Sequence, residues 1–121
     1  RSMNWAGAKH IDIYNRQSKL TPSTVVLKAN TANIIRLFNG TKGSWSFRAD
    51  DFFRATAVVS VLYGENTVSA PCLEGIKIGS RKWAELRLVP LRQGEYFFGS
   101  EEPTIELPFS TPAETGKFIV R

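Results

Sequence analysis

Hydrophobic and polar residues alternate with a period of two along much of the chain. Ala84, Leu86 and Leu88, for example, alternate with Glu85 and Arg87. Such alternation places apolar side chains on one face of a half-buried β-strand. The same pattern, or a run of β-branched and aromatic residues, occurs at residues 11–14, 24–28, 33–38, 44–48, 52–63, 95–98, 105–109 and 116–120.

Turn signals separate these segments at intervals of roughly ten residues. Asn39-Gly40, Gly79-Ser80 and Gln93-Gly94 combine residues that tolerate positive φ with residues that favour tight turns. We expect about eight to ten short strands, which is typical of a β-sandwich or barrel. The sequence therefore predicts one all-β domain.

The segment from Phe52 to Tyr63 is the longest predicted strand. Its odd positions are apolar, whereas its even positions mix apolar residues with Arg54, Thr56 and Ser60. A helix beginning at Ala49 is an alternative for the first residues, because acids favour a helix N-terminus. As a strand, the segment would be partly covered on both faces, which predicts a further contact such as a second subunit.

Two parts of the chain differ in composition. Residues 1–9 contain Trp5 as their only bulky side chain among small and polar residues, which predicts a linker or the remnant of an expression tag. Residues 10–121 form the predicted single β-sandwich domain. No apolar stretch approaches the ~20 residues that cross a bilayer, so membrane insertion is not expected.

The net charge of +5 is unevenly distributed. Residues 1–60 contain nine basic and three acidic side chains, and residues 61–121 contain seven and eight. A basic half can attract phosphate backbones, sulfated glycans or an acidic protein. In the basic half the positive residues are spread singly, and no run of five or more occurs of the kind that binds nucleic acid, so a nucleic-acid partner is not expected.

Catalytic motifs are not found. His10 is the only histidine, and no serine occupies a Gly-x-Ser-x-Gly elbow. The glycine-rich signatures of phosphate-binding loops are also absent. We therefore predict that the domain is not an enzyme and carries no cofactor.

Metal-binding patterns are equally sparse. No pair of cysteines or histidines has zinc-ligand spacing, and Cys72 is interpreted as a small hydrophobic residue. Asp50-Asp51 and Glu101-Glu102 could bind calcium only if loops brought them together. Solvated carboxylates are the simpler interpretation of both pairs.

Trp83 is the aromatic residue most out of place. It shares the polar face of its strand with Glu85 and Arg87, so it is either covered by a loop or exposed as a contact. Residues predicted to form an interface or ligand-binding surface are Trp83, Arg87, Phe52 and Arg54.

The layout of the chain resembles the C-terminal protruding domain of a small RNA-virus capsid protein, most closely the spike domain of shrimp-infecting nodaviruses. The matching parts are linker-like Arg1–Lys9, the body Ile11–Phe109 and the terminal Phe118–Arg121. The resemblance implies an antiparallel β-sandwich of jelly-roll type. It also implies a homodimer on the virion surface that contributes to host attachment, with a host receptor or an acidic glycan as partner.

Two other functions stay open at this point. A carbohydrate-binding β-sandwich would use Trp5, Trp45 or Trp83 as a stacking platform, although the strand parity of Trp45 predicts a core position. A nucleic-acid-binding β-barrel would use Trp83 with Arg81, Lys82 and Arg87 as a basic aromatic patch.

Overall fold

A computed structural model describes residues 5–16, 19–63, 66–68, 75–100 and 115–121. Its elements are a 3-10 turn at Trp5–Gly7, β1 (Lys9–Arg16), β2 (Lys19–Thr21), β3 (Thr24–Leu27), β4 (Asn33–Asn39), β5 (Trp45–Arg48), α1 (Asp50–Arg54), β6 (Thr56–Tyr63), β7 (Asn66–Val68), β8 (Gly75–Ile78), β9 (Trp83–Pro90), β10 (Gly94–Ser100) and β11 (Thr115–Val120). No helix among these residues is long and apolar enough to cross a bilayer.

The strands form two sheets around one hydrophobic core. The first sheet has the order β2-β1-β4-β9-β6-β7 and the second the order β3-β11-β10-β5-β8. The prediction of an all-β sandwich is confirmed, with eleven strands in the described residues rather than eight to ten. The predicted strand at 105–109 lies outside the described residues, as do Cys72 and Glu101-Glu102.

Most strand pairings are antiparallel, as the sequence predicted, but each sheet also contains one parallel pair. β1 pairs with β4 in parallel, and β3 pairs with β11 in parallel, whereas the other pairings are antiparallel. The cause is a change of sheet between Thr21 and Thr24, since β2 lies in the first sheet and β3 in the second. Residue alternation predicts which face of a strand is buried, but it does not predict whether the adjacent strand runs parallel or antiparallel to it.

Aromatic rings fill the centre of the core. Phe118 stacks on Phe52 with ring centroids 4.2 Å apart and lies 4.5 Å from the ring of Phe98, which in turn packs against Phe47 at 5.6 Å. All four side chains are fully buried. Trp45 is also buried, as its strand parity predicted.

The segment predicted to begin the long strand at Phe52 instead forms the helix α1. Asp50 and Asp51 occupy its first turn, where carboxylates interact favourably with the helix dipole. A strand would direct Phe52 and Phe53 to opposite faces, but the helical turn buries both rings in the core. The helical alternative noted in the sequence is therefore the one that forms.

A β-bulge between Val58 and Ser60 corrects the predicted faces of β6. Before the bulge the even residue Val58 is buried, and after it the odd residue Val61 is buried. Val59 is the extra residue and is 47% exposed. A bulge reverses the parity of a strand because it adds one residue opposite a single partner residue.

Core burial predicts opposite outcomes for two phenylalanines. Phe52→Ala removes a fully buried ring and should lower the free energy of unfolding by about 3–5 kcal/mol. Phe97→Ala, the matched control, changes a ring that is 72% exposed and should stay within about 0.5 kcal/mol of the original protein. Urea denaturation followed by fluorescence measures both. Equal effects at the two positions would contradict the placement of Phe52 in the core.

Candidate functional site

Three segments meet at one end of the sandwich and enclose a cleft of about 780 Å³. They are the adjoining ends of β1 and β2, the loop after β4 and the turn before β9. The lining residues, which we call the basic cleft, are Arg16, Lys19, Thr21, Gly40, Thr41, Lys42 and Arg81.

The basic cleft is strongly positive. Four of its lining residues are cationic and none is acidic. Among the described residues, no carboxylate forms a salt bridge with Arg16, Lys19, Lys42 or Arg81. A concave surface with charges of one sign concentrates the field and attracts ligands of the opposite sign. The arrangement is suited to an anionic ligand.

Arg16 is held in place by aromatic side chains. Its guanidinium lies 4.9 Å from the ring centroid of Tyr14, a cation–π contact. Tyr14 is paired in register with Phe38 of β4, and their rings stack with centroids 4.9 Å apart. The stack restricts the rotamers of Arg16, so less conformational entropy is lost when it binds an anion.

Arg81 lies in the turn between β8 and β9. Its φ of 61° is in the left-handed region, which a side chain with a Cβ rarely adopts. Hydrogen bonds hold the turn: Lys82 N donates to the carbonyl of Gly79 over 3.0 Å, and Ser80 Oγ donates to the carbonyl of Thr41 over 2.8 Å. The second bond fixes the turn against the loop after β4.

Asn39 connects the two loops from within. It is 2% exposed, and its Nδ2 donates to the carbonyls of Gly43, Ile78 and Gly79 over 2.9 to 3.1 Å. Its Oδ1 accepts hydrogen bonds from the backbone N and Oγ1 of Thr41 at 3.0 and 2.6 Å. One buried amide therefore sets the distance between the loop with Lys42 and the turn with Arg81.

A second, smaller cleft lies beside the first. It has a volume of about 300 Å³ and is lined by Tyr63, Ile78, Gly79, Lys82 and Trp83. We call it the tryptophan cleft. Burial raises the pKa of the Tyr63 hydroxyl, which is therefore protonated at neutral pH and available as a hydrogen-bond donor.

Trp83 and Arg87 both lie on the outer face of β9 but belong to different surroundings. Trp83 is 36% exposed in the tryptophan cleft. The guanidinium of Arg87 lies over the Trp5 ring at 5.8 Å and 3.7 Å from Oε2 of Glu85. Glu85, between them, is nearly buried and bonds Arg36 at 3.0 Å. Arg87 therefore holds the 3-10 turn at Trp5–Gly7 against the sheet.

Phe52 and Arg54 do not join Trp83 in one surface, which corrects the predicted set. Phe52 is fully buried, and Arg54 is exposed on α1, where it pairs with Asp51 at 3.1 Å. The helix lies at the other end of β9, since Leu91 N donates to the carbonyl of Ala55 over 2.9 Å. The helical conformation of this segment is the reason for the difference.

Asp50 and Asp51, considered above for calcium, each have an arginine partner. Asp50 receives two hydrogen bonds from Arg48, at 3.1 and 3.0 Å, and Asp51 pairs with Arg54. The described residues contain no group of three or more potential metal ligands. The structure thus favours the interpretation of these two carboxylates as surface ion pairs.

Copper proteins share the fold of this chain. A multicopper oxidase from Pseudomonas thermotolerans superposes with a TM-score of 0.67 and 12% identity, over 100% of this chain and 31% of its own. A copper nitrite reductase from Nitrosomonas europaea gives 0.64 and 11%, over 94% and 49%. Auracyanin A, a "blue" copper protein from Chloroflexus aurantiacus, gives 0.61 and 12%, over 95% and 100%.

These similarities establish the fold alone. The chain spans about a third to a half of the oxidase and reductase chains that it resembles. No protein-family model matches the sequence, and no curated protein does. The resemblance to a viral spike domain remains a prediction, because these findings do not bear on it.

The residues present do not fit the copper site that this fold suggests. A blue copper site takes two histidines and a cysteine, with a distant methionine or oxygen ligand. The chain contains one histidine and one cysteine. His10 is exposed near the start of β1, about 20 Å of extended chain from Arg16 at the basic cleft.

With one histidine and one cysteine, the chain is predicted not to form a blue copper site. After addition of one equivalent of Cu(II), it should not develop the intense blue absorption of a copper–thiolate centre. Auracyanin A, treated in parallel, is the positive control. A blue band that disappears in Cys72→Ser would show that this chain completes a copper site by other means.

The Arg48 hydrogen bonds predict a pH effect at Asp50. They lower its pKa below the ordinary value of 3.8, so the pair stabilises the fold at neutral pH and this contribution is lost as the pH falls through the lowered pKa. Because the pair is well exposed, Asp50→Asn should destabilise by only about 0.2–1 kcal/mol at pH 7. Urea denaturation at pH 7 and pH 3 measures the difference. A loss of unfolding free energy in Asp50→Asn that is larger at pH 3 than at pH 7 would contradict this prediction.

Proposed function

We propose that the chain is a non-catalytic attachment module that binds an acidic glycan in its basic cleft. The observation that carries the proposal is the convergence of Arg16, Lys19, Lys42 and Arg81 from separate segments on one cleft. Sulfate and carboxylate groups on a glycan are ligands that guanidinium and ammonium groups bind through charge-assisted hydrogen bonds.

The arrangement of the cations supports recognition rather than a merely soluble surface. A solubilising charge has no need of ordered neighbours, yet Arg16 is stacked on Tyr14 and Arg81 sits in a turn fixed by hydrogen bonds. The cation–π contact reduces the side-chain entropy that Arg16 loses on binding, and the hydrogen-bonded turn holds the backbone of Arg81 in place. Holding four like charges together also opposes folding, which is reasonable where an anion compensates for it.

The copper chemistry of the structural neighbours is not part of this proposal. Folds of this kind carry their functions in loops, and this chain has four cations around one cleft but only one histidine and one cysteine in its sequence. A scaffold used for metal binding in one protein can therefore serve for ligand binding in another.

A role in host attachment, as a homodimer on the virion surface, stays a prediction from the sequence resemblance. That role would be compatible with the basic cleft, because an acidic glycan is both a partner implied by the resemblance and a ligand suited to the cleft. Large apolar side chains exposed in the described residues are Val26, Val59, Trp83, Leu91 and Phe97. Light scattering over a concentration series tests for the dimer directly.

The basic cleft is tested by Arg81→Gly. Glycine relieves the left-handed backbone conformation and removes one cation, so the fold should remain at least as stable while binding weakens. We expect the affinity for an oligosaccharide of heparin, a sulfated glycan, to fall about fivefold, or about 1 kcal/mol. Isothermal titration with a heparin oligosaccharide measures the change.

Arg92→Gly is the matched control for this experiment. It removes the same charge from an exposed turn at the opposite end of β9. Binding that falls equally in both variants would indicate a response to net charge, and the proposed site would then be wrong. Absence of heparin binding in the unmodified chain at low salt would contradict the function itself.

A further inference from the structure

The basic cleft and the tryptophan cleft share one turn. Arg81 lines the first, and its neighbours Gly79 and Lys82 line the second. We propose that the two clefts are subsites for one linear acidic polysaccharide, whose anionic groups bind the basic cleft while a sugar ring stacks on Trp83. This inference rests on the proposed function and names the ligand as a chain rather than a single anion.

The register of the first sheet places the two subsites side by side. Tyr14 of β1 is paired with Phe38 of β4, and Phe38 is paired with Trp83 of β9. Neighbouring strands are about 4.8 Å apart, so Tyr14 and Trp83 are separated by about 10 Å across the sheet. The guanidinium of Arg16 lies over the ring of Tyr14, at the basic cleft. A ligand that occupies both clefts must be extended in this direction.

The tryptophan cleft has the chemistry expected of a sugar subsite. Trp83 is 36% exposed and presents an apolar ring that suits the C–H face of a sugar. The protonated Tyr63 hydroxyl can donate to a sugar oxygen, and Lys82 adds one further cation. Apolar surface with a few placed polar groups is typical of small-ligand sites.

Single-stranded nucleic acid fits this surface less well. Proteins that bind it use several aromatic rings on which successive bases stack. The rings of Tyr14 and Phe38 already stack on each other, and the guanidinium of Arg16 covers Tyr14. Of the two rings that line the tryptophan cleft, Trp83 is exposed and Tyr63 is half-buried, so the cleft offers one well-exposed stacking ring, which favours one sugar ring and its charged neighbours.

The two subsites are held rigidly relative to each other. Asn39 bonds the carbonyls of Ile78 and Gly79 on one side and Thr41 on the other. Its backbone N also donates to the carbonyl of Lys82 over 2.9 Å. A rigid spacing means that an oligosaccharide long enough to reach both clefts gains the second contact with little further loss of entropy.

Oligosaccharide length tests the inference. Heparin-derived disaccharides, tetrasaccharides and octasaccharides are titrated into the full chain at fixed salt. We expect affinity to rise at least tenfold between the disaccharide and the octasaccharide. In Trp83→Ala most of this gain should be lost while disaccharide binding stays within about twofold, since the basic cleft is intact.

Two variants keep the test specific. Trp83→Phe retains a stacking ring and should recover part of the gain with length. Phe97→Ala removes an aromatic ring that is 72% exposed on the other sheet and should leave the length dependence unchanged. Urea midpoints equal to that of the original protein confirm that the variants are folded.

The outcomes separate this inference from the proposed function. If Arg81→Gly weakens binding but Trp83→Ala has the same length dependence as the original chain, the basic cleft stands and the second subsite is wrong. If no sulfated oligosaccharide binds, both are wrong. If oligothymidylate of equal charge binds more tightly than the octasaccharide and Trp83→Ala abolishes that binding, the ligand is a nucleic acid and the inference is overturned.

Discussion

The hydrogen bonds of the buried Asn39 side chain hold together the end of the sandwich that contains the two clefts. The Asn39 amide bonds backbone groups of both the loop after β4 and the turn before β9, and neither connection has a regular β-ladder of its own there. A buried amide must satisfy its hydrogen-bonding groups, so this side chain accepts only a narrow range of loop positions. The positions of the loop with Lys42 and of the turn with Arg81 follow from that restriction.

The rest of the sandwich provides a stable base for these loops. Four fully buried phenylalanines pack at its centre, and α1 contributes one of them by turning Phe52 inward. Copper proteins of less than 20% identity have the same fold. The core thus tolerates extensive change of sequence, because a sandwich needs apolar side chains of suitable total volume rather than particular residues. Ligand chemistry can then change in the loops without rebuilding the sheets.

The fold was largely predictable and the site was predictable only in part. Alternation identified the buried faces of β5 and β9, and it placed Trp83 on the polar face of β9 without deciding whether a loop covers it. It misassigned β6, because a bulge at Val59 reverses the parity, and it gave no signal for the two parallel pairings. Phe52 was wrongly predicted to lie on an interface surface, because its segment was interpreted as a strand. A strand directs adjacent side chains to opposite faces, whereas α1 buries both Phe52 and Phe53.

The sequence by itself determined the all-β class, the buried faces of regular strands such as β5 and β9, and the number of histidine and cysteine ligands, since these depend on residue type and local periodicity. With one histidine and one cysteine, the chain cannot supply the ligands of a blue copper site. Only the tertiary structure decided which cations meet. Arg16 and Arg81 are 65 positions apart in the sequence. They line one cleft because Arg16 ends β1 of the first sheet and Arg81 lies in the turn through which the chain passes from β8 of the second sheet to β9 of the first. Residue order holds no such information, because long-range proximity is set by strand pairing and not by the chain's local pattern.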